Sequence, residues 1–118
     1  MKNFWKRAFD FSGRSSRREY RAGMLHTILL AVPGISIILL GVMTNDHTVM
    51  FSGVALHLLI GLLWIVPFIA LCVRREHDLG RNGWRIWIDG HRFPSDLWSC
   101  DSDPDANRYG PPPADGDK

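Results

Sequence analysis

The sequence predicts an all-α membrane protein: a two-span antiparallel transmembrane helical hairpin with cytoplasmic termini and a mostly irregular C-terminal tail. Three observations predict it. Residues 22–43 and 49–73 form two apolar runs without Asp, Glu, Lys or Arg. The linker between them, Thr44-Asn45-Asp46-His47-Thr48, is short and polar. Lys and Arg crowd the outer flank of each run and are missing from the linker. At roughly 1.5 Å of rise per residue, about 20 apolar residues cross a hydrocarbon core roughly 30 Å thick, so both runs are long enough to span.

At 118 residues the chain makes a single unit, and its averages suit a soluble domain: 22% of residues are charged and the net charge is +2. The placement of the charges says more. Residues 1–21 carry Lys2, Lys6, Arg7, Arg14, Arg17, Arg18 and Arg21 against Asp10 and Glu19. After the second run come Arg74, Arg75, Arg81, Arg85 and Arg92, whereas the linker has only Asp46. Lys and Arg near span ends mark the cytoplasmic side, so both termini are expected there and residues 44–48 outside. The first run is too long for the apolar region of a signal peptide, and no small-x-small cleavage site follows it. A soluble core helix keeps a polar face, which neither run has.

The elements follow in order. Residues 1–21 interleave Phe4, Trp5 and Phe9 with Lys6 and Arg7, a composition suited to a basic, aromatic interfacial segment. Residues 22–43 form the first span, with Pro33-Gly34 near its middle, and residues 49–73 the second, with Pro67 toward its end. Proline inside a helix removes a hydrogen bond and favours a kink. Gly34 and Gly41 fall roughly on one face of the first helix, and Gly53 and Gly61 on one face of the second, where small residues let helices approach. Residues 74–84 are a cytoplasmic motif rich in Arg, His and Asp. Residues 85–118 read as a polar tail, interfacial or disordered: Trp84, Ile86, Trp87, Ile88, Phe93, Leu97 and Trp98 are cut up by Arg85, Asp89, His91, Arg92, Pro94 and Asp96. Such a stretch cannot span, because a charge at mid-membrane costs about 2.5–3.5 kcal/mol even on the mild insertion scale. Beyond Asp101 the Asp/Pro/Gly composition reads as disordered. Cys72 and Cys100 are expected as free thiols.

Three segments resemble a known family. They are Phe11-Ser12-Gly13-Arg14-Ser15-Ser16-Arg17-Arg18-Glu19-Tyr20, then Arg74-Arg75-Glu76-His77-Asp78-Leu79-Gly80-Arg81-Asn82-Gly83-Trp84, and finally Asn107-Arg108-Tyr109-Gly110-Pro111-Pro112-Pro113. In order and spacing, across about residues 4–113, they are similar to the bacterial inner-membrane family catalogued as domain of unknown function 805. The resemblance implies a bacterial inner-membrane location and carries no established reaction. Arg21 stands where the family has Trp, and Glu76 where it has Leu. The family's third apolar segment is replaced here by the polar residues 85–103. A local out-of-frame stretch would give that pattern, and resequencing the coding DNA tests it: an unbroken, correctly read frame refutes the idea.

The chemistry these residues offer is mostly structural. His77-Asp78 is a metal-like pair, but with only His91, Cys100 and scattered Asp beside it the ligands are too few, so no metal and no cofactor are expected. No nucleophile–base set or phosphate loop is present, and Gly13-Arg14-Ser15-Ser16 lacks the Lys and spacing of a P-loop. An enzyme is therefore not expected, nor a nucleic-acid partner. Asp78 is placed to pair with Arg74, Arg75 or Arg81 and to tie the second span to Arg17, Arg18 and Glu19 of the first. The same residues, with Arg14, His77 and the interfacial Trp84, form a candidate motif for anionic lipid headgroups, each basic group adding about 1 kcal/mol of attraction. His57 is the intramembrane polar candidate. At roughly 1.5 Å per residue it lies about 12 Å from the turn and His26 about 26 Å, so the two cannot form a relay within one hairpin. The expected role is a non-enzymatic structural, accessory or lipid-interacting membrane component, partnered by lipid and by a second copy or a larger membrane complex. The alternative is a subunit of a small oligomeric transporter or channel.

Overall fold

A computed structural model describes residues 5–88 and 95–114. Phe4 of the expected interfacial segment, Asp89, His91, Arg92, Phe93 and Pro94 of the polar stretch, and tail residues 115–118 lie outside the described residues. The chain is helical: α1 spans Arg17–Thr44, α2 His47–Asp78, α3 Arg85–Ile88 and α4 Ser95–Ser99. Among the described residues there is no strand, only an isolated bridge between Asn107 and Gly110. The helices continue through Pro33 and Pro67.

Both long helices outrun the apolar runs, and local capping explains where they stop. Ser16 caps α1, its Oγ accepting from the Glu19 amide at 3.2 Å. Asn45 takes a positive φ of 54°. The Asp46 amide donates to Gly41 O at 2.9 Å and the Asn45 amide to Val42 O at 3.3 Å, a Schellman ending with Asn in the left-handed position. Asp46 then starts α2, its Oδ1 accepting from the amides of Thr48 (2.9 Å) and Val49 (3.2 Å). Two residues thus end one helix and begin the next. At the far end of α2, Gly80 has φ 70°, with Gly80 N donating to His77 O at 3.0 Å and Arg81 N to Glu76 O at 2.9 Å. That second Schellman ending lets α2 run past the apolar run into the Arg-rich motif.

The chain divides into two compact units, Leu25–Val66 and the remainder. Within Leu25–Val66 the helices meet at pairs set symmetrically about the Asn45–Asp46 peptide. A Cβ on Gly34 would stand 2.7 Å from His57 Cβ, one on Gly53 2.7 Å from Ile38 N, and one on Gly41 2.6 Å from Met50 Cα. Trp64 Nε1 donates to Thr27 Oγ1 at 2.9 Å, in the same register. Gly61 faces open space, so it does not serve the contact face expected for it beside Gly53. Away from this seam the surface is apolar, with Leu25, Ile28, Leu40, Leu58, Leu62 and Leu63 all exposed.

The other unit holds the first turns of α1, the last turns of α2 from Pro67, α3, α4 and the tail. The tail is irregular, as expected, and it is packed: Leu97 is buried, and residues 102–110 bond to the end of α2 and to Arg14. For residues 102–114, whose composition reads as disordered, the structure describes an irregular segment with these bonds. The side chains there are poor in apolar atoms, but backbone carbonyls accept from Arg14, and Asn107 and Tyr109 meet His77.

Candidate functional site

Buried charge, rather than apolar packing, organises the second unit. Ser15 precedes α1; its amide donates to Arg74 O at 3.1 Å and its Oγ to Glu19 Oε2 at 2.9 Å, joining the start of α1 to the last turns of α2. Gly13, at φ 73°, turns the chain just before this junction and lets Arg14 point inward.

Asp78 is the hub. It is fully buried, and each carboxylate oxygen accepts from a different guanidinium. Arg14 Nε donates to Oδ1 at 2.9 Å, and Arg75 Nη1 and the Ser102 hydroxyl donate to Oδ2. Backbone carbonyls take up the remaining donors. Arg14 Nη1 reaches Asp105 O at 2.7 Å and Arg14 Nη2 reaches Asp103 O. Arg75 Nε reaches Leu97 O at 3.0 Å, and Arg75 Nη2 reaches Cys100 O. The Asp103 amide closes the set on Asp78 O at 3.2 Å.

Arg74, also fully buried, serves a second junction. Its Nη1 donates to Arg7 O at 2.7 Å and to Asp10 O, and its Nη2 faces Glu19 Oε1 at 3.6 Å. Burial pushes the Arg74 guanidinium below its ordinary pKa, and the Glu19 carboxylate opposes that shift. Arg14 and Arg75 are thereby set against Asp78, and Arg74 against Glu19, in a region that also buries Glu76. Each buried ion costs several kcal/mol in lost hydration, and only near-complete pairing offsets that cost. Such a cluster defines one arrangement of its segments and adds little net stability.

His77 carries the third junction. Its Nδ1 lies 3.2 Å from Gly13 O, and its ring stacks on Tyr109 at 3.7 Å between centroids and 5° between planes. Asn107 Nδ2 donates to His77 O at 3.0 Å, and Asn107 Oδ1 accepts from the Tyr109 amide at 2.9 Å. Burial lowers the His77 pKa; the Gly13 carbonyl opposes this and Arg108, whose guanidinium lies 4.7 Å from the Tyr109 ring centroid, adds to it.

The sequence-derived residues therefore divide. Arg14, Glu19, Arg74, Arg75, His77 and Asp78 come together, and Asp78 pairs with Arg14 and Arg75 rather than with Arg74 or Arg81. Three of the arginines expected to meet lipid phosphate are turned inward: Arg14, Arg74 and Arg75 are 4%, 0% and 0% exposed. Arg17 pairs with Asp101 at 2.6 Å and Arg81 with Asp96 at 3.7 Å, while Arg18 is exposed. Trp84 is exposed on the wall of a cleft. His57 lies in the other unit, its buried Nδ1 without a hydrogen-bond partner. Sequence reasoning missed Ser15, Ser16, Ser102, Asp103 and Asp105. The Ser16-x-x-Glu19 spacing is a capping signature that was there to be read, but the carbonyl acceptors have no side-chain signal. Among the described residues no group of three or more His, Cys, Asp or Glu could hold a metal, and both cysteines are free.

Comparison with curated proteins and with solved structures gives no match. The family model described as "Protein of unknown function (DUF805)" matches residues 8–111, a stretch that contains Arg14, Glu19, the α2 terminus and Asn107–Tyr109. With nearly its whole length matched, and the three motifs joined around Asp78, the chain belongs to this family of unknown function.

Proposed function

We propose that this protein is a two-span integral protein of a bacterial inner membrane, both termini cytoplasmic, acting as a non-enzymatic structural or accessory component that interacts with lipid. One observation carries the reading. α1 and α2 are long and apolar enough to cross a membrane, yet only 11% and 28% of their most apolar windows are buried within the chain. Core helices of a soluble protein are covered, and an uncovered apolar surface of this extent marks contact with membrane or partner. The buried Asp78–Arg14–Arg75 cluster, a clasp between segments, supports a scaffolding role, since its charges pair with one another and are shielded from solvent. Arg18 on the exposed face, with Arg17 and Arg81 nearer the surface, is suited to anionic headgroups. The remaining apolar surface is suited to a second copy or a larger membrane complex.

The test is extraction of expressed protein with alkaline carbonate, followed by pull-down of partners with Arg74→Ala and Asp78→Ala variants. Retention in the membrane pellet and loss of partners in the variants support the reading. Release into the supernatant contradicts it. Transport is a second reading, favoured by the unpartnered His57 Nδ1 beside Gly34. Proton flux into vesicles that His57→Leu abolishes would establish it, whereas the accessory role predicts no flux in either protein.

A further inference from the structure

We propose that the cleft beside the last turns of α2 binds one acyl chain of an anionic phospholipid, a proposal that rests on the membrane-spanning reading above. The cleft has a volume of about 330 Å³ and lies wholly in the unit that contains the clasp. That is the low end of the range of about 300–1,000 Å³ typical of ligand pockets. Its walls are Phe11, Ile69, Val73, Trp84 and Trp87, and its two polar side chains are His77 and Asn82.

The order of these residues gives the occupant a direction. Ile69, Val73 and His77 are spaced four apart on α2 and so form one stripe along the helix. A chain lying along it has its ester end at His77 and Asn82, where polar atoms suit the glycerol linkage, and its methyl end toward Ile69. The cleft sits where the apolar run ends at Val73, the level of the boundary between acyl chains and headgroups.

The wall opposite α2 is held close by Gly83. A Cβ there would come within 2.6 Å of Val73 Cγ1, so the loop can press onto Val73 only as glycine. This places the indoles of Trp84 and Trp87 on the cleft with 72% and 67% of their surfaces exposed. Indole rings favour the membrane interface, where the ring is covered by lipid and the N–H stays wet. Arg81, paired with Asp96, and Arg85 flank the Asn82–Trp84 segment, and Arg108 lies over the Tyr109 ring, so the polar end is bordered by cations, a setting suited to an anionic headgroup.

The experiment uses the full chain in nanodiscs of phosphatidylethanolamine and phosphatidylglycerol, with a photoactivatable phosphatidylglycerol bearing a diazirine in its acyl chain. Adducts are mapped by mass spectrometry. The proposal predicts enrichment at Ile69, Val73, Trp84 and Trp87 over the bare helix surface at Leu62. Ile69→Trp, which fills the cleft, should cut that labelling about tenfold, equivalent to about 1.4 kcal/mol of binding. Trp87→Ser removes a wall at an exposed position, tests the same point without a core change, and should also reduce labelling. Labelling no greater than at Leu62, or unchanged in Trp87→Ser, overturns the proposal while leaving the membrane reading intact. Absence of adducts from both α1 and α2 contradicts the membrane reading itself.

Discussion

Asp78 and His77 define the residue scale. Asp78→Asn leaves the buried guanidiniums of Arg14 and Arg75 short of their counter-ion, and breaking one side of a buried pair costs about 3–5 kcal/mol. The expected result is a large drop in unfolding midpoint in detergent. The combined replacement Arg14→Met, Arg75→Met and Asp78→Leu should cost less than Asp78→Asn alone, because neither guanidinium is then left without Asp78. Equal or greater loss in the triple variant would show that the ion pairs add net stability. His77 supplies a pH dependence. Burial first, with Arg108 adding and Gly13 opposing, holds its folded pKa below the ordinary 6.5. The unfolded chain then binds the proton more readily, so stability is full above about pH 6.5 and falls as the pH drops from there toward the lowered folded value. Between about pH 7.5 and pH 5.5 the midpoint of the parent protein should fall further than that of His77→Phe, which keeps a stacking ring on Tyr109 but cannot titrate. Equal falls would remove His77 from the account.

At the scale of elements, the helical hairpin depends on close approach at its glycines. Gly41→Leu should separate α1 from α2 and lower the midpoint sharply, since even a Cβ meets the Met50 backbone. Gly61→Ala, in open space, should be neutral or stabilise by up to about 1 kcal/mol through helix propensity. A matching loss at Gly61 would mean the seam is elsewhere. Trp64→Phe should cost about 0.6 kcal/mol, the average for an interhelical hydrogen bond in a membrane. These elements were legible in the sequence to different depths. The two uncharged runs announce α1 and α2, and the polar linker 44–48 announces the turn, which the structure narrows to Asn45-Asp46. The ends are harder to read: α2 continues to Asp78 through residues that hydropathy scores as surface, because Arg74 and Arg75 are buried by ion pairing rather than by apolarity. The tail was least legible. Asp103 and Asp105 act through backbone carbonyls, which leave no trace in side-chain composition. Only the Asn107-Arg108-Tyr109-Gly110 resemblance pointed to its order.

On the scale of the whole molecule, the unit that contains Asp78 carries the ordered polar structure, and the Leu25–Val66 unit exposes apolar side chains away from its seam. A chain ending before Asp101 lacks Ser102, the carbonyls of Asp103 and Asp105, and the Asn107–Tyr109 segment. It should show faster hydrogen exchange at the amides of residues 72–80, and unchanged exchange there would mean that the tail does not support the clasp. The central claim, a membrane hairpin with its family motifs on the cytoplasmic face, is tested most directly by topology. Reporters active only in the cytoplasm or only outside it are fused at Asp46 and at Lys118 of the full chain. The account predicts an external signal at Asp46 and a cytoplasmic one at Lys118. The same side for both, or an external Lys118, would contradict it.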